Sequence, residues 1–467
     1  MKIVEVTRVT PFSNSPNSPS EFSLPLTFYD LFWFKLPPVE RLFFYQLDDL
    51  TPAYFNSEIL PKLKQSLSLT LLHYLPLAGN LKWPSDSPKP IILYTPNDGV
   101  SVTVAESNAD LDLLSSNGIY EAAELRPLTP ELITSDDSAS TIALQVTLFP
   151  NKGFCIGITA HHAVLDGQTT TLFLKSWAYI CKQGNIYENS PLPSNLTPFF
   201  DRSVIRDPNG VDMLYLNQWL AALGSVNSDS NINKISFKAL PELADKAEAP
   251  SLVRATFEIS GEYIKRLRER VLLSQYFSDG TAKQLHLSTF VLTLAYITTC
   301  IIKARGGDGD RLVGAGFTID CRPRLNPPVP ENYFGNCNVG AATMMKARDL
   351  FGENGFVFAV QKVSDKVKES LEKGVLQGIE NKLASLFELR KDLSKSARLI
   401  TVAGSPRFEV YGCDFGWGKP LKVVVVSIGS KGISLAESRD GSRGVEVGLA
   451  LKKHEMDNFS SLFLSDV

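Results

Sequence analysis

The sequence predicts an α+β protein of two lobes, and three observations carry that expectation. Apolar runs at strand spacing and at helical spacing alternate without a strict βαβ rhythm, which points to mixed sheets with flanking helices. Tracts rich in Pro, Asn and Ser interrupt the middle of the chain at about 185–210 and again at 224–234. The 467 residues exceed the roughly 150 of an ordinary single domain. The divisions expected are an N-terminal lobe at 1–215, a crossover linker at 216–245 and a C-terminal lobe at 246–467.

The elements follow in order. Ile3-Val4-Glu5-Val6 alternates like a first strand, and Leu42-Phe43-Phe44-Tyr45 reads as a buried one. Leu60, Leu63, Leu67, Leu71 and Tyr74 recur at helical spacing, and Leu75-Pro76-Leu77-Ala78-Gly79 stops that helix. Strands are expected at 90–94, 102–105, 141–149 and 154–159, then a helix from Gln168 through Trp177 and Ile180. In the second half, Val253–Ile259 and Leu312–Ile319 read as strands, and Gly261–Leu273, Leu287–Ile302 and Lys362–Gly374 as helices. The four valines of Lys422–Ile428 suggest a central strand, and Gly444–Leu451 another.

Composition excludes several classes. Lys+Arg is 47 against 50 for Asp+Glu, a balance unsuited to gripping nucleic acid without regard to sequence. No apolar run reaches the ~18 residues of a membrane span. The six cysteines are scattered without a Cys-x-x-Cys pair, as free thiols of a cytoplasmic protein would be. Histidines and cysteines never reach zinc-ligand spacing, so no metal is expected. There is no Gly-x-Ser-x-Gly elbow and no phosphate-binding Gly-x-x-x-x-Gly-Lys loop. Gly314-Ala315-Gly316 fails as a dinucleotide fingerprint, so no bound cofactor is expected either.

Three clusters remain as carriers of chemistry. The apolar run Phe154–Thr159 delivers His161 and His162 into a loop closed by Asp166-Gly167. An imidazole titrating near neutrality can take a proton from a hydroxyl and return it, although one strand-end histidine is more often structural. Asp414-Phe415-Gly416-Trp417-Gly418 reads as an aromatic, glycine-rich turn; Asp414 is either an acid–base group or, by preference, a turn residue accepting backbone N–H bonds. Ile319-Asp320-Cys321-Arg322 places a charge beside a buried strand, where it needs a partner; Asp166 is available, and a surface position for Arg322 is the alternative.

Taken together, His162-Ala163-Val164-Leu165-Asp166-Gly167 and Asp414-Phe415-Gly416-Trp417-Gly418 resemble the two signatures of the plant BAHD acyltransferases, in the same order and relative place. Tyr333-Phe334-Gly335-Asn336-Cys337 resembles the marker of the clade that acylates sugars of anthocyanins and other phenolic glucosides. Ser66–Thr70 and Leu75–Asn80 extend the likeness over essentially the whole chain, and the histidine motif is closest to malonyl-transferring members.

The resemblance implies two lobes of similar topology, like chloramphenicol acetyltransferase, with the active site in a channel between them. It implies malonyl-CoA as donor, a flavonoid or naphthol type of glucoside as acceptor, and His162 as general base. Asp166 would point away from substrate and pair with Arg322, and Asp414 would support the structure at a distance. A malonyl carboxylate calls for a basic residue, with Arg254, Lys283 and Arg322 as candidates; Ser288 and Thr289 are candidates for coenzyme A contacts or simply helix-capping residues. Hydroxycinnamoyl-CoA or acetyl-CoA is the alternative donor within the family. A condensation-type domain also fits His161-His162-x-x-x-Asp-Gly, but not the Asp414 motif, and a non-catalytic binding protein is a third reading. Nothing in the composition demands more than a monomer.

Overall fold

Two neighbouring apolar runs, Ile142–Phe149 and Gly153–Ala160, pair as a hairpin buried at every position. The turn between them needs left-handed backbone, with Asn151 at φ +62° and Gly153 at φ +149°. A Cβ on Gly153 would stand 2.0 Å from the Tyr45 carbonyl oxygen, so only glycine fits there. In this computed structural model the described residues are 1–11, 20–184, 191–224, 236–240, 252–276, 284–393 and 398–465.

The hairpin is the centre of a six-stranded sheet, ordered Lys2–Val9, Val100–Glu106, Ile142–Phe149, Gly153–Ala160, Val39–Gln46, Lys422–Val425. Only Val100–Glu106 with Ile142–Phe149 is a parallel pair. A seven-stranded sheet serves the second half, ordered Asn338–Lys346, Leu312–Asp320, Arg398–Ala403, Gly432–Glu437, Val445–Lys452, Leu252–Ile259, Tyr120–Glu121. A small sheet of Phe22–Pro25, Ile91–Tyr94, Asn80–Lys82 and Ser138–Ser140 completes the first half. Helix Thr289–Arg305 lies among Gly261–Tyr276, Gly355–Glu372 and Lys453–Ser465, which is why its sequence is apolar on all sides.

The two halves exchange strands. Lys422–Val425 comes from the second half but pairs with Val39–Gln46, and Tyr120–Glu121 comes from the first but pairs with Leu252–Ile259. The valine run is therefore not a central strand: it is short and lies at the edge of its sheet. Arg254 explains why so apolar an edge is tolerated. Its guanidinium, 6% exposed, donates to the carbonyl oxygens of Val425 at 2.9 Å, Ile428 at 2.6 Å and Val426, so the edge is capped by the other lobe.

Two further elements differ from expectation. Helix Val211–Gly224 occupies the start of the expected 216–245 linker, with Tyr215, Leu216 and Trp219 buried and the Trp219 indole donating to the Leu31 carbonyl at 2.8 Å. Of the polar stretch beyond it, 225–235 and 241–245 lie outside the described residues. The helix expected from Lys362 begins at Gly355, because its first two turns are too uniformly apolar to show a helical stripe. No described helix is long and apolar enough to cross a membrane.

Candidate active site

Strand Gly153–Ala160 ends where the His161 amide donates to the Thr141 carbonyl at 2.9 Å. The chain then turns, closed by Val164 N–H to the His161 carbonyl at 2.9 Å and by Ala163 N–H to His161 Nδ1 at 3.2 Å. Helix Gly167–Gln183 starts immediately after, with Asp166 as its N-cap, accepting from Thr169 N–H at 2.8 Å. His162 is thus held between a strand end and a capped helix.

The His162 ring stacks face to face on Trp33, centroids 4.2 Å apart and planes within 4°. Its Nδ1 is buried without a hydrogen-bond partner. Burial pushes the imidazole pKa down to about 4, and Arg41 adds to that; its own carbonyl oxygen and Asp166 oppose the shift without cancelling it. The ring is therefore neutral at pH 7. His161, fully buried and also lowered to about 4 by burial, has its Nδ1 lone pair occupied by the turn.

The carboxylate of Asp166 makes no hydrogen bond to His162. Besides Thr169 it accepts from Arg322 Nη2 at 2.8 Å and from Cys337 N–H at 3.3 Å. Arg322 is 1% exposed and spreads its donors over Asp166, Asp320 Oδ1 at 3.1 Å, and the carbonyl of Gly335 at 2.9 Å. Burial opposes its charge, but Asp166, the Cys337 thiol and Asp320 outweigh it, so its pKa stands above the ordinary value. The structure thus brings together two residues 156 positions apart, from opposite lobes.

Tyr333–Cys337 closes round the same loop. Asn336 Nδ2 donates to the His162 carbonyl at 3.0 Å and to Asp30 Oδ1 at 3.1 Å, while its own N–H donates to Asp30 at 2.9 Å. Asp30 is fully buried and also receives Thr27 N–H at 3.0 Å. Gly335 sits at φ +122° against Arg202, whose guanidinium a Cβ would strike at 2.3 Å. The segment read as a clade marker is therefore a clamp on the histidine loop.

Asp414 lies elsewhere. Its Oδ1 accepts from Gly416 N–H at 2.8 Å and Gly418 N–H at 3.0 Å, and its Oδ2 from Lys182 Nζ at 2.6 Å. Burial works against the carboxylate, but Lys182 and the two amides hold its pKa below the usual value. Lys182 is sixteen residues along the helix from Asp166, about 24 Å at 1.5 Å per residue. Phe415 and Trp417 lock the turn through edge contacts to Trp177 at 4.9 Å and Phe154 at 5.8 Å. Asp414→Ala is expected to cost about 1–2 kcal/mol of stability by chemical denaturation while leaving the KM for donor within about twofold; a selective loss of kcat would instead place Asp414 in the chemistry.

The remaining candidates separate. Arg254 spends both its Nη groups on the three carbonyls of the strand edge and keeps only a buried Nε. Arg322 is likewise occupied by Asp166 and its neighbours. Lys283 lies outside the described residues. Ser288 caps helix Thr289–Arg305 by accepting from Val291 N–H at 3.3 Å, and Thr289 is half-buried in its first turn. Among the described residues no cluster of three or more His, Cys, Asp or Glu could hold a metal, and all six cysteines are free and buried.

Sequence reasoning missed Trp33, Asp30 and Arg41, and took Asn336 only as part of a clade marker, without its contact to the His162 loop. The signal available was a charge inside an apolar run: Asp30 and Lys35 flank Leu31-Phe32-Trp33-Phe34, and Arg41 precedes Leu42-Phe43-Phe44-Tyr45.

Comparison with known proteins agrees over full length. The Transferase family matches residues 1–465. Phenolic glucoside malonyltransferase 1 of Arabidopsis thaliana is 51% identical, covering 98% of this chain and 96% of its own. Malonyl-CoA:anthocyanidin 5-O-glucoside-6''-O-malonyltransferase of the same plant is 47% identical, covering 99% and 97%. The crystal structure of vinorine synthase shares the fold, with a TM-score of 0.66 over 100% of this chain and 98% of that one, at 22% identity. With its histidine loop gripped from both lobes, and with relatives this close, the chain belongs to the BAHD acyltransferases of the transferase family.

Proposed function

We propose that the enzyme transfers a malonyl group from malonyl-CoA to a sugar hydroxyl of a phenolic glucoside, with His162 as general base. One observation carries the chemistry: a buried, neutral imidazole stacked on Trp33, its backbone held by Asn336 and its loop by Asp166 and Arg322. The names of the 51% and 47% identical relatives support the donor and the acceptor class.

In this reading Nδ1 carries the ring's proton and Nε2 faces the substrates. Nε2 takes the proton of the sugar hydroxyl as its oxygen attacks the thioester carbonyl carbon. A tetrahedral oxyanion forms, and its negative charge favours the imidazolium beside it, offsetting the low basicity that burial imposes. The C–S bond then breaks, and the coenzyme A thiolate leaves with the proton from Nε2. Asp166 and Arg322 keep the loop in place and touch neither substrate. The same reading takes the protein as a cytoplasmic monomer without a bound cofactor, its lobes joined through the segment after residue 215.

The test is product mass spectrometry with purified enzyme, malonyl-CoA and a panel of phenolic glucosides. A gain of one malonyl unit is expected. Transfer only from coumaroyl-CoA or acetyl-CoA would keep the acyltransfer chemistry and overturn the donor.

A further inference from the structure

Arg41 is the buried cation of this site without a fixed counter-charge. It lies on strand Val39–Gln46, opposite Ile158 of the strand that delivers His162, and is 3% exposed. Its Nη1 donates to Thr171 Oγ1 at 3.2 Å and, weakly at 3.5 Å, to the carbonyl of Gly167, the last residue of the histidine motif. Its Nε is buried and meets no acceptor. Among the described residues no carboxylate forms an ion pair with it. Asp166 is the carboxylate whose field it feels most, but that side chain is already taken by Thr169, Arg322 and Cys337. The Cys413 thiol is the other ionisable group that acts on it, and Phe408 packs beside the Gly167 backbone it contacts.

A guanidinium buried without an anion is an unfavourable arrangement for a folded protein to keep, unless an anion arrives in function. The charge also stands close enough to the catalytic ring to make His162 harder to protonate.

We propose that Arg41 binds the free carboxylate of the donor's malonyl group and so sets the donor preference. The assignment rests on the malonyl reading above. That carboxylate is two carbon–carbon bonds from the thioester carbonyl on which His162 acts, so in this assignment a donor seated at His162 carries it toward the histidine loop, whose last residue, Gly167, Arg41 contacts. The orphaned Nε, together with an adjacent Nη, offers the paired donors that a carboxylate accepts best. Arg254 and Arg322 also keep an unpartnered Nε, but their terminal nitrogens are taken by carbonyl oxygens and by carboxylates, so neither offers the paired donors. An acetyl donor would leave the buried charge without its anion, and a coumaroyl donor would press an apolar ring against it, so the same residue accepts one acyl group and rejects the others.

The test is an internal competition: equimolar malonyl-CoA and acetyl-CoA, one phenolic glucoside, and both products quantified by mass spectrometry from a single reaction. The product ratio does not depend on how much of a variant is folded. In Arg41→Met the malonyl-to-acetyl ratio is expected to fall about 100-fold, and in Arg41→Lys, which keeps a charge but loses the fork, about 10-fold. An unchanged ratio in Arg41→Met, with both products reduced alike, would show a merely structural role and overturn the assignment while leaving the malonyl reading intact. A wild-type enzyme that makes no malonyl product overturns both. Should Arg41→Met yield neither product, calorimetric titration of the variant with each thioester decides: selective loss of malonyl-CoA affinity supports the assignment, equal loss refutes it.

Discussion

His162→Ala is expected to lower turnover about 10³-fold, within the range by which a positioned proton-transfer group accelerates such reactions, without changing the far-ultraviolet circular dichroism. The ring sits on one face of Trp33 and donates no hydrogen bond to a neighbouring side chain, so its loss leaves the loop's ties through Asn336 and Asp166 in place. The pH profile sharpens the claim. Burial lowers the imidazole to about 4, so the neutral, proton-accepting form is complete at pH 7 and declines only as pH falls toward that value. The acid limb of kcat/KM in the free enzyme is therefore expected below pH 6. An acid limb at or above 6.5, or turnover in His162→Ala within tenfold of wild type, would remove His162 from the role.

Arg322→Ala is expected to cost about 3–5 kcal/mol of stability, because it leaves the Asp166 carboxylate 5% exposed without its counter-charge. Carbonyls of Tyr333 and Gly335 lose a donor at the same time. Turnover should fall with it, since Arg322 no longer ties Asp166 and its loop to the second lobe. The double variant Arg322→Met, Asp166→Asn removes both charges and keeps a side chain able to cap the helix, so it should recover much of the melting temperature lost by the single change. Equal melting of Arg322→Ala and wild type would show that the pair does not support the loop.

The legible parts of this protein are those whose cause lies within a few residues. The strand ending at Ala160, the cap at Asp166 and the helix behind it are written in alternation, a side-chain oxygen and helical spacing. The Asp414 turn shows in its glycines, at φ +106° and +98° for Gly416 and Gly418. The valine strand misleads for the opposite reason. A run apolar on both faces reads as central, and only the arrival of Arg254 from the other lobe makes it an edge that is dry. Helix Val211–Gly224 was hidden because its apolar residues nearly encircle it and leave little amphipathic stripe.

What the sequence alone determines here is chemistry and local geometry: a strand that hands a histidine to a capped loop, and family motifs in order. The tertiary structure decides which distant groups meet. Asn336 reaches the His162 carbonyl across 174 residues, Arg322 reaches Asp166 across 156, and Arg41 is left beside the motif with no anion of its own. Such pairings have no periodicity to betray them, because each depends on two lobes closing and on burial making an unmatched charge costly.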